Sequence, residues 1–295
     1  MKTQEKLKQY IQENSTSLAA VARATAMSDA RLSLWVNGKY EGDNKEVELA
    51  VASFLQREEE KKSLIDSRIP FVMTKSASMI IEAARLCHLE GEMGIIFGKA
   101  GIGKTWAIRE YQKQNPGVVI IETTLGFTAK YLFHVLTEEL GIKTSINVME
   151  MFRDCQNRLM ESTRMIIVDE AEHLPYRAHE MLRRLHDFTG VAILFVGQPV
   201  LVKNFMGKRG EYDQLWSRIG LKYESKDNTA DDISKIIANV IPNSNGLYKV
   251  FHDYTKGNLR TLNKLYKRAN KMARLNDCDI DEAIISESAK RIIRV

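Results

Sequence analysis

The sequence predicts an α/β protein: a parallel sheet with helices on both faces, preceded by an all-helical segment and followed by a second helical one. Three observations carry this. Short apolar runs at 94–97, 118–121, 165–168 and 191–196 alternate with stretches of helical spacing. Such runs are what strands buried on both faces of a parallel sheet require. The first run leads directly into a glycine-rich turn and then a helix, 98–114. Residues 1–56 and 229–291 show apolar residues at helical spacing and no strand signal.

With 295 residues the chain is long enough for more than one core. No apolar run approaches the ~20 residues of a membrane helix. The N-terminus is polar and lacks a signal-peptide core. Cys87, Cys155 and Cys278 are scattered and show no zinc spacing. The expectation is a cytoplasmic protein with reduced thiols and no membrane partner. The net charge of +5 is uneven: residues 226–295 hold 13 basic against 9 acidic residues, while 1–56 balance at 7 and 7. A basic patch in the C-terminal quarter would suit nucleic acid.

Residues 1–56 form the first expected domain. Leu7, Tyr10 and Ile11 share a helical face, Ser17 would cap a second helix, and Ser28 or Asp29 a third. Two short helices around a tight turn suggest helix-turn-helix, with Arg31 and Ser33 on the helix that would enter the major groove. A three-helix protein-docking module fits the same spacing, and the neutral charge counts against DNA, because phosphate contacts normally supply most non-specific affinity. The charge run at 57–69 reads as a helix end and linker.

The core is expected over 70–225. Its centre is Gly98-Lys99-Ala100-Gly101-Ile102-Gly103-Lys104-Thr105. Glycines let successive backbone N–H groups surround phosphate oxygens, and the following helix points its positive end at them. Lys104 supplies a mobile charge for the β- and γ-phosphates of ATP, and Thr105 a hydroxyl for Mg²⁺. The run at 165–168 ends in Asp169-Glu170. A parallel strand delivers such acids to the edge where open α/β sheets bind ligands. Asp169 would complete the Mg²⁺ shell and Glu170 would direct the attacking water. Gln198, after the run at 191–196, would sit beside the γ-phosphate or merely end the strand. His173 and His179 follow the acids but have no third ligand at metal spacing. Residues 203–213 read as an exposed loop.

Residues 226–295 are the expected helical lid. Along 256–274, Lys256, Arg260, Lys264, Lys267, Arg268, Lys271 and Arg274 share one face, opposite Leu259, Leu262, Leu265, Ala269 and Met272. An all-basic face would meet DNA, a neighbouring subunit's acids, a protein partner or solvent.

The order of these features resembles the AAA+ ATPases: loop at 98–105, acidic strand at 165–170, Gln198, Arg218 before the last strand, and Gly257-Asn258-Leu259-Arg260. By that resemblance Gln198 is the sensor-1 residue, Arg218 the arginine finger completing a neighbour's site, and Arg260 the sensor-2 residue. Within that class the chain is similar to the transposition protein B family of phage Mu and related transposon target-selection ATPases. The local runs at 34–44, 167–174 and 217–219 carry the likeness. The resemblance implies an ATPase that assembles head to tail on duplex DNA with little sequence preference. It would recruit a transposase to the target and disassemble on hydrolysis. It also implies that 125–130 faces DNA through Lys130, although Lys130 equally well just opens a helix. Two other functions share the core or the first domain: a helicase loader or replication-initiation ATPase, and a nucleotide-gated transcription regulator.

Overall fold

In the first 66 residues the helical spacing is realised as α1 (Thr3–Glu13), α2 (Leu18–Ala24), α3 (Asp29–Val36) and α4 (Asn44–Asp66). The structure is a computed structural model and describes residues 2–66, 69–207, 212–242, 244 and 246–290. Ser17 and Ser28 cap as their positions predict: their hydroxyls accept from the Ala20 and Arg31 N–H groups at 3.1 and 3.2 Å. Leu7, Val21, Leu32, Trp35, Val47, Val51 and Phe54 bury together. The charged run 57–66 is the last part of α4, with Lys61 paired to Glu58 one turn away. Arg31 is not a free groove-facing cation. It pairs with Glu46 at 2.6 Å and lies over the Tyr40 ring.

Residues 1–68 and 69–295 form two compact units. The second is built on β1 (Met93–Phe97), β2 (Val118–Glu122), β3 (Met165–Asp169), β4 (Ala192–Gly197) and β5 (Ile219–Glu224). The strand order is β2-β3-β4-β1-β5, and every pairing is parallel. All five C-terminal ends therefore share one edge. Helices α5 (Lys75–Glu90) and α6 (Lys104–Gln114) cover one face of the sheet, where Ile96, Leu194 and Val196 meet Ile80, Ala84 and Ile108. Helices α7 (Ala129–Glu139), α8 (Val148–Leu159) and α9 (Tyr176–Thr189) cover the other, where Ile95, Val168 and Phe195 meet Leu132, Met151 and Leu182. Alternate strand residues thus face opposite layers, which is why the runs are apolar throughout.

The expected loop at 203–213 is partly helical. Helix α10 (Val200–Met206) buries Leu201 and Phe205, and α11 (Asp213–Trp216) buries Leu215; residues 208–211 lie outside the described residues. A strand-to-helix turn at Gly197–Val200 starts α10 too early for a polarity count to find it. The C-terminal helices are α12 (Ala230–Val240), α13 (Leu247–Thr255), α14 (Leu259–Leu275) and α15 (Glu282–Ala289). Ile237, Phe251, Leu262, Leu265 and Ile285 form their own core. α14 carries the basic face outward: Lys264 and Lys271 are exposed, whereas Leu262, Leu265 and Ala269 are buried.

Candidate nucleotide-binding site

The loop 98–103 joins β1 to α6 and lies at the carboxyl edge of the sheet. Gly101 and Gly103 have φ of +82° and +103°, a region an L side chain avoids, so glycine is required at both. A Cβ at Gly101 would also meet the Asn258 side chain at 2.5 Å. Lys104, the first residue of α6, is 9% exposed, and its Nζ donates to the Gly98 and Lys99 carbonyls at 2.7 and 2.9 Å. Burial lowers its pKa, against the attraction of Asp169, Glu172 and Glu170. A cation held only by two neutral carbonyls among three acids suits a polyphosphate ligand.

β3 delivers Asp169 to the same edge, two strands from β1 and across the end of β4. The Thr105 hydroxyl donates to Asp169 Oδ2 at 2.6 Å, and Oδ1 accepts from the Glu170 N–H at 3.0 Å. Burial raises the Asp169 pKa, while the Thr105 hydrogen bond opposes the rise. Glu170 has left-handed backbone, φ +54° and ψ +35°. Such a conformation is costly for a non-glycine residue and persists only where its surroundings hold it. The buried Thr123, just past β2, does so: its hydroxyl donates to the Glu170 and Asp169 carbonyls at 2.7 and 3.0 Å. The Glu170 side chain remains half exposed and lies 3.6 Å from His173 Nε2.

Lys104, Thr105, Asp169, Glu170, Gln198 and Arg260 line one cavity of about 410 Å³. These predicted residues come from four separate elements, and the fold brings them together. Arg218 is not among the lining residues. It sits immediately before β5, whose first residue, Ile219, pairs with Met93 at the start of β1. The loop begins after the other end of β1, about 16 Å along a five-residue strand. Arg218 instead donates to Asp187 Oδ1 at 2.9 Å. Lys130, exposed on α7, and the basic residues of α14 beyond Arg260 are also outside the cavity lining.

Four structural roles are barely marked by local sequence pattern. Ile69, Pro70, Phe71 and Val72 with Ile236 and Leu262 give the cavity an apolar wall suited to a flat base. Their only signal was the Pro70 boundary. Asn258 Nδ2, the Leu259 N–H and Asn228 Nδ2 donate to the successive loop carbonyls Ala100, Gly101 and Ile102 at 3.1, 2.8 and 3.1 Å. The C-terminal segment thus holds the carbonyl side of the loop. Glu172 lines the cavity too. Finally, His179 is buried between Phe195 and Phe205, and its Nε2–H donates to the Ala171 carbonyl at 3.1 Å. It supports the turn after Glu170; among the described residues no group of three or more His, Cys, Asp or Glu is placed to hold a metal ion.

Burial holds the His179 pKa down at about 4, against about 6.5 when unfolded. Between these values the unfolded chain binds a proton that the native chain does not. This contribution to stability is complete above pH 6.5 and is lost as pH falls towards 4, by up to about 1.4 kcal/mol per unit. Urea unfolding at pH 7 and 5 should therefore show a steeper loss for the native chain than for His179→Gln. Equal losses would contradict this account.

Comparison with known proteins agrees with the geometry. An AAA domain model matches residues 88–205, from the end of α5 into α10. The chain is 27% identical over 284 residues to the Mu-like prophage FluMu DNA transposition protein B of Haemophilus influenzae, covering 93% of this chain and 98% of that protein. It is 28% identical over 240 residues to the ATP-dependent target DNA activator B of Escherichia phage Mu, covering 78% and 75%. In fold it is similar to the ORC2 protein of Aeropyrum pernix, with a TM-score of 0.63 at 15% identity, covering 79% of this chain and 72% of that one. The phosphate loop, the acid pair two strands away and the likeness to these relatives make the chain similar to the phage Mu transposition protein B group of AAA+ ATPases.

Proposed function

We propose that the protein is an ATP-dependent target-DNA selector for transposition, which assembles on duplex DNA and presents it to a transposase. The observation that carries this is the constellation in the cavity, on a chain alike over 93% of its length to a transposition protein B. The site fits Mg²⁺–ATP. Thr105 and Asp169 already lie 2.6 Å apart, and one carboxylate plus one hydroxyl is a usual protein share of a Mg²⁺ shell completed by phosphate and water. When bound, the ion would neutralise charge developing on the phosphates.

The chain's own residues do the rest. Lys104 exchanges the Gly98 and Lys99 carbonyls for phosphate oxygens. Glu170 orients a water and accepts its proton. Gln198 and Arg260 contact the γ-phosphate, from the sheet and from the C-terminal helices. Arg218 of a neighbouring copy completes the site, so ATP binding and head-to-tail assembly form one linked equilibrium. Lys264, Lys267 and Lys271 on α14 and Lys130 on α7 contact DNA phosphates, and Arg31 and Ser33 contribute once Arg31 releases Glu46. Contacts of this kind give little sequence preference and strong salt dependence.

The test is DNA binding by the whole protein with and without ATP, read by filter retention and electron microscopy. ATP-dependent arrays on unrelated duplexes are expected. Tight binding to one sequence regardless of ATP would point to a regulator instead. Glu170→Gln should keep ATP binding and slow hydrolysis by about 10²–10⁴. Its arrays should persist on DNA after the native protein has dissociated, and rapid release by this variant would exclude the assigned role.

A further inference from the structure

We propose that Glu172 is a positioning residue for hydrolysis, acting through Gln198. This rests on the placement of Gln198 beside the γ-phosphate.

Glu172 lies in the 3-10 turn Ala171–His173, directly after the acid pair. Its Oε2 accepts from the Gln198 N–H at 3.2 Å. Its main chain is fixed as well, because Asn204 Nδ2 of α10 donates to the Glu172 carbonyl at 3.1 Å. The carboxylate packs against Gly197, where a Cβ would approach Oε2 to 2.1 Å. The Gly197 carbonyl in turn accepts from the Gly98 N–H at 3.2 Å, which ties the same strand end to the first residue of the phosphate loop. One carboxylate therefore joins the turn that follows Glu170 to the backbone that aims Gln198. The glycine at 197 has a reason that involves no unusual φ: it leaves room for that carboxylate.

A rotating side chain at a free strand end would lose orientation in the transition state and keep most ground-state binding. The loss should appear in kcat and spare KM. Glu172→Ala is expected to lower kcat about tenfold, the worth of one hydrogen bond, with KM for ATP changed less than about twofold. Glu172→Gln keeps an acceptor oxygen and should recover most of the rate. Gly197→Ala should lower kcat at least as far as Glu172→Ala, because the added methyl displaces the Glu172 carboxylate and also presses on the buried Leu201 Cδ2 at 3.1 Å. The double variant should then be no slower than the slower single variant.

The decisive experiment is steady-state ATP hydrolysis by the full chain for these four variants and Gln198→Ala, each checked by thermal melting. Wild-type kcat in Glu172→Ala, additive losses in the double variant, or normal kcat in Gly197→Ala would overturn the link. If Glu172→Gln is as slow as Glu172→Ala and KM rises, the carboxylate acts by charge on Lys104 and the proposal fails. A slow Gln198→Ala with a normal Glu172→Ala removes the role of Glu172 alone. Normal kcat in Gln198→Ala removes the reading of Gln198 on which it rests.

Discussion

Lys104→Ala should abolish ATP hydrolysis and ATP-dependent assembly on DNA, while leaving the fold intact. The two halves of this expectation have different causes. Lys104 is buried, with its charge held by the Gly98 and Lys99 carbonyls. Burial already lowers its pKa, so the free protein does not rely on it for stability. Its value lies in the bound state, where a preorganised cation meets developing charge. The expected loss is at least about 10²–10³ in kcat, as for other preorganised electrostatic contacts. Thermal melting should be within a few degrees of the native chain. ATP-dependent retention of this variant on duplex DNA would break the linkage between nucleotide and assembly.

Arg218→Ala should cost about 10³ or more in assembled hydrolysis, the range for an arginine supplied in trans. Its effect on the isolated protomer should be small. Arg218 is about half exposed in its pair with Asp187, which also binds Arg183, and such exposed pairs contribute roughly 0–1 kcal/mol. Leaving Asp187 for a neighbour's phosphate is correspondingly cheap. The position of Arg218 at the far end of β5 keeps it from its own loop. Mixing decides the matter. Arg218→Ala has an intact loop, and Lys104→Ala has an intact arginine. In a random equal mixture roughly a quarter of interfaces would pair the two intact halves. Partial recovery of hydrolysis is expected, and no recovery at any ratio would end the claim.

Local chemistry made much of this protein legible in one dimension. The loop 98–105 could be read because glycine at Gly101 and Gly103 answers a backbone demand, and Lys104 and Thr105 answer a chemical one. The strand runs could be read because a parallel sheet buries both faces. Asp169 and Glu170 could be read because they end such a run. These are all cases in which a residue's role is set by its immediate neighbours in the chain.

The remaining features depend on residues far apart in sequence. The left-handed backbone at Glu170 is held by Thr123, 47 positions away. The Ala100 carbonyl of the phosphate loop is held by Asn258, 158 positions away. The base-sized wall combines 69–72 with Ile236 and Leu262. Arg31, read as a groove contact, is claimed by Glu46. Helix α10 replaced part of an expected loop because Leu201 and Phe205 find the sheet core. Residue types and their spacing specify which chemistry this chain carries and which fold presents it. The folded chain determined how each reactive group is held, because hydrogen-bond geometry and burial are properties of neighbours in space, and a linear pattern does not list them.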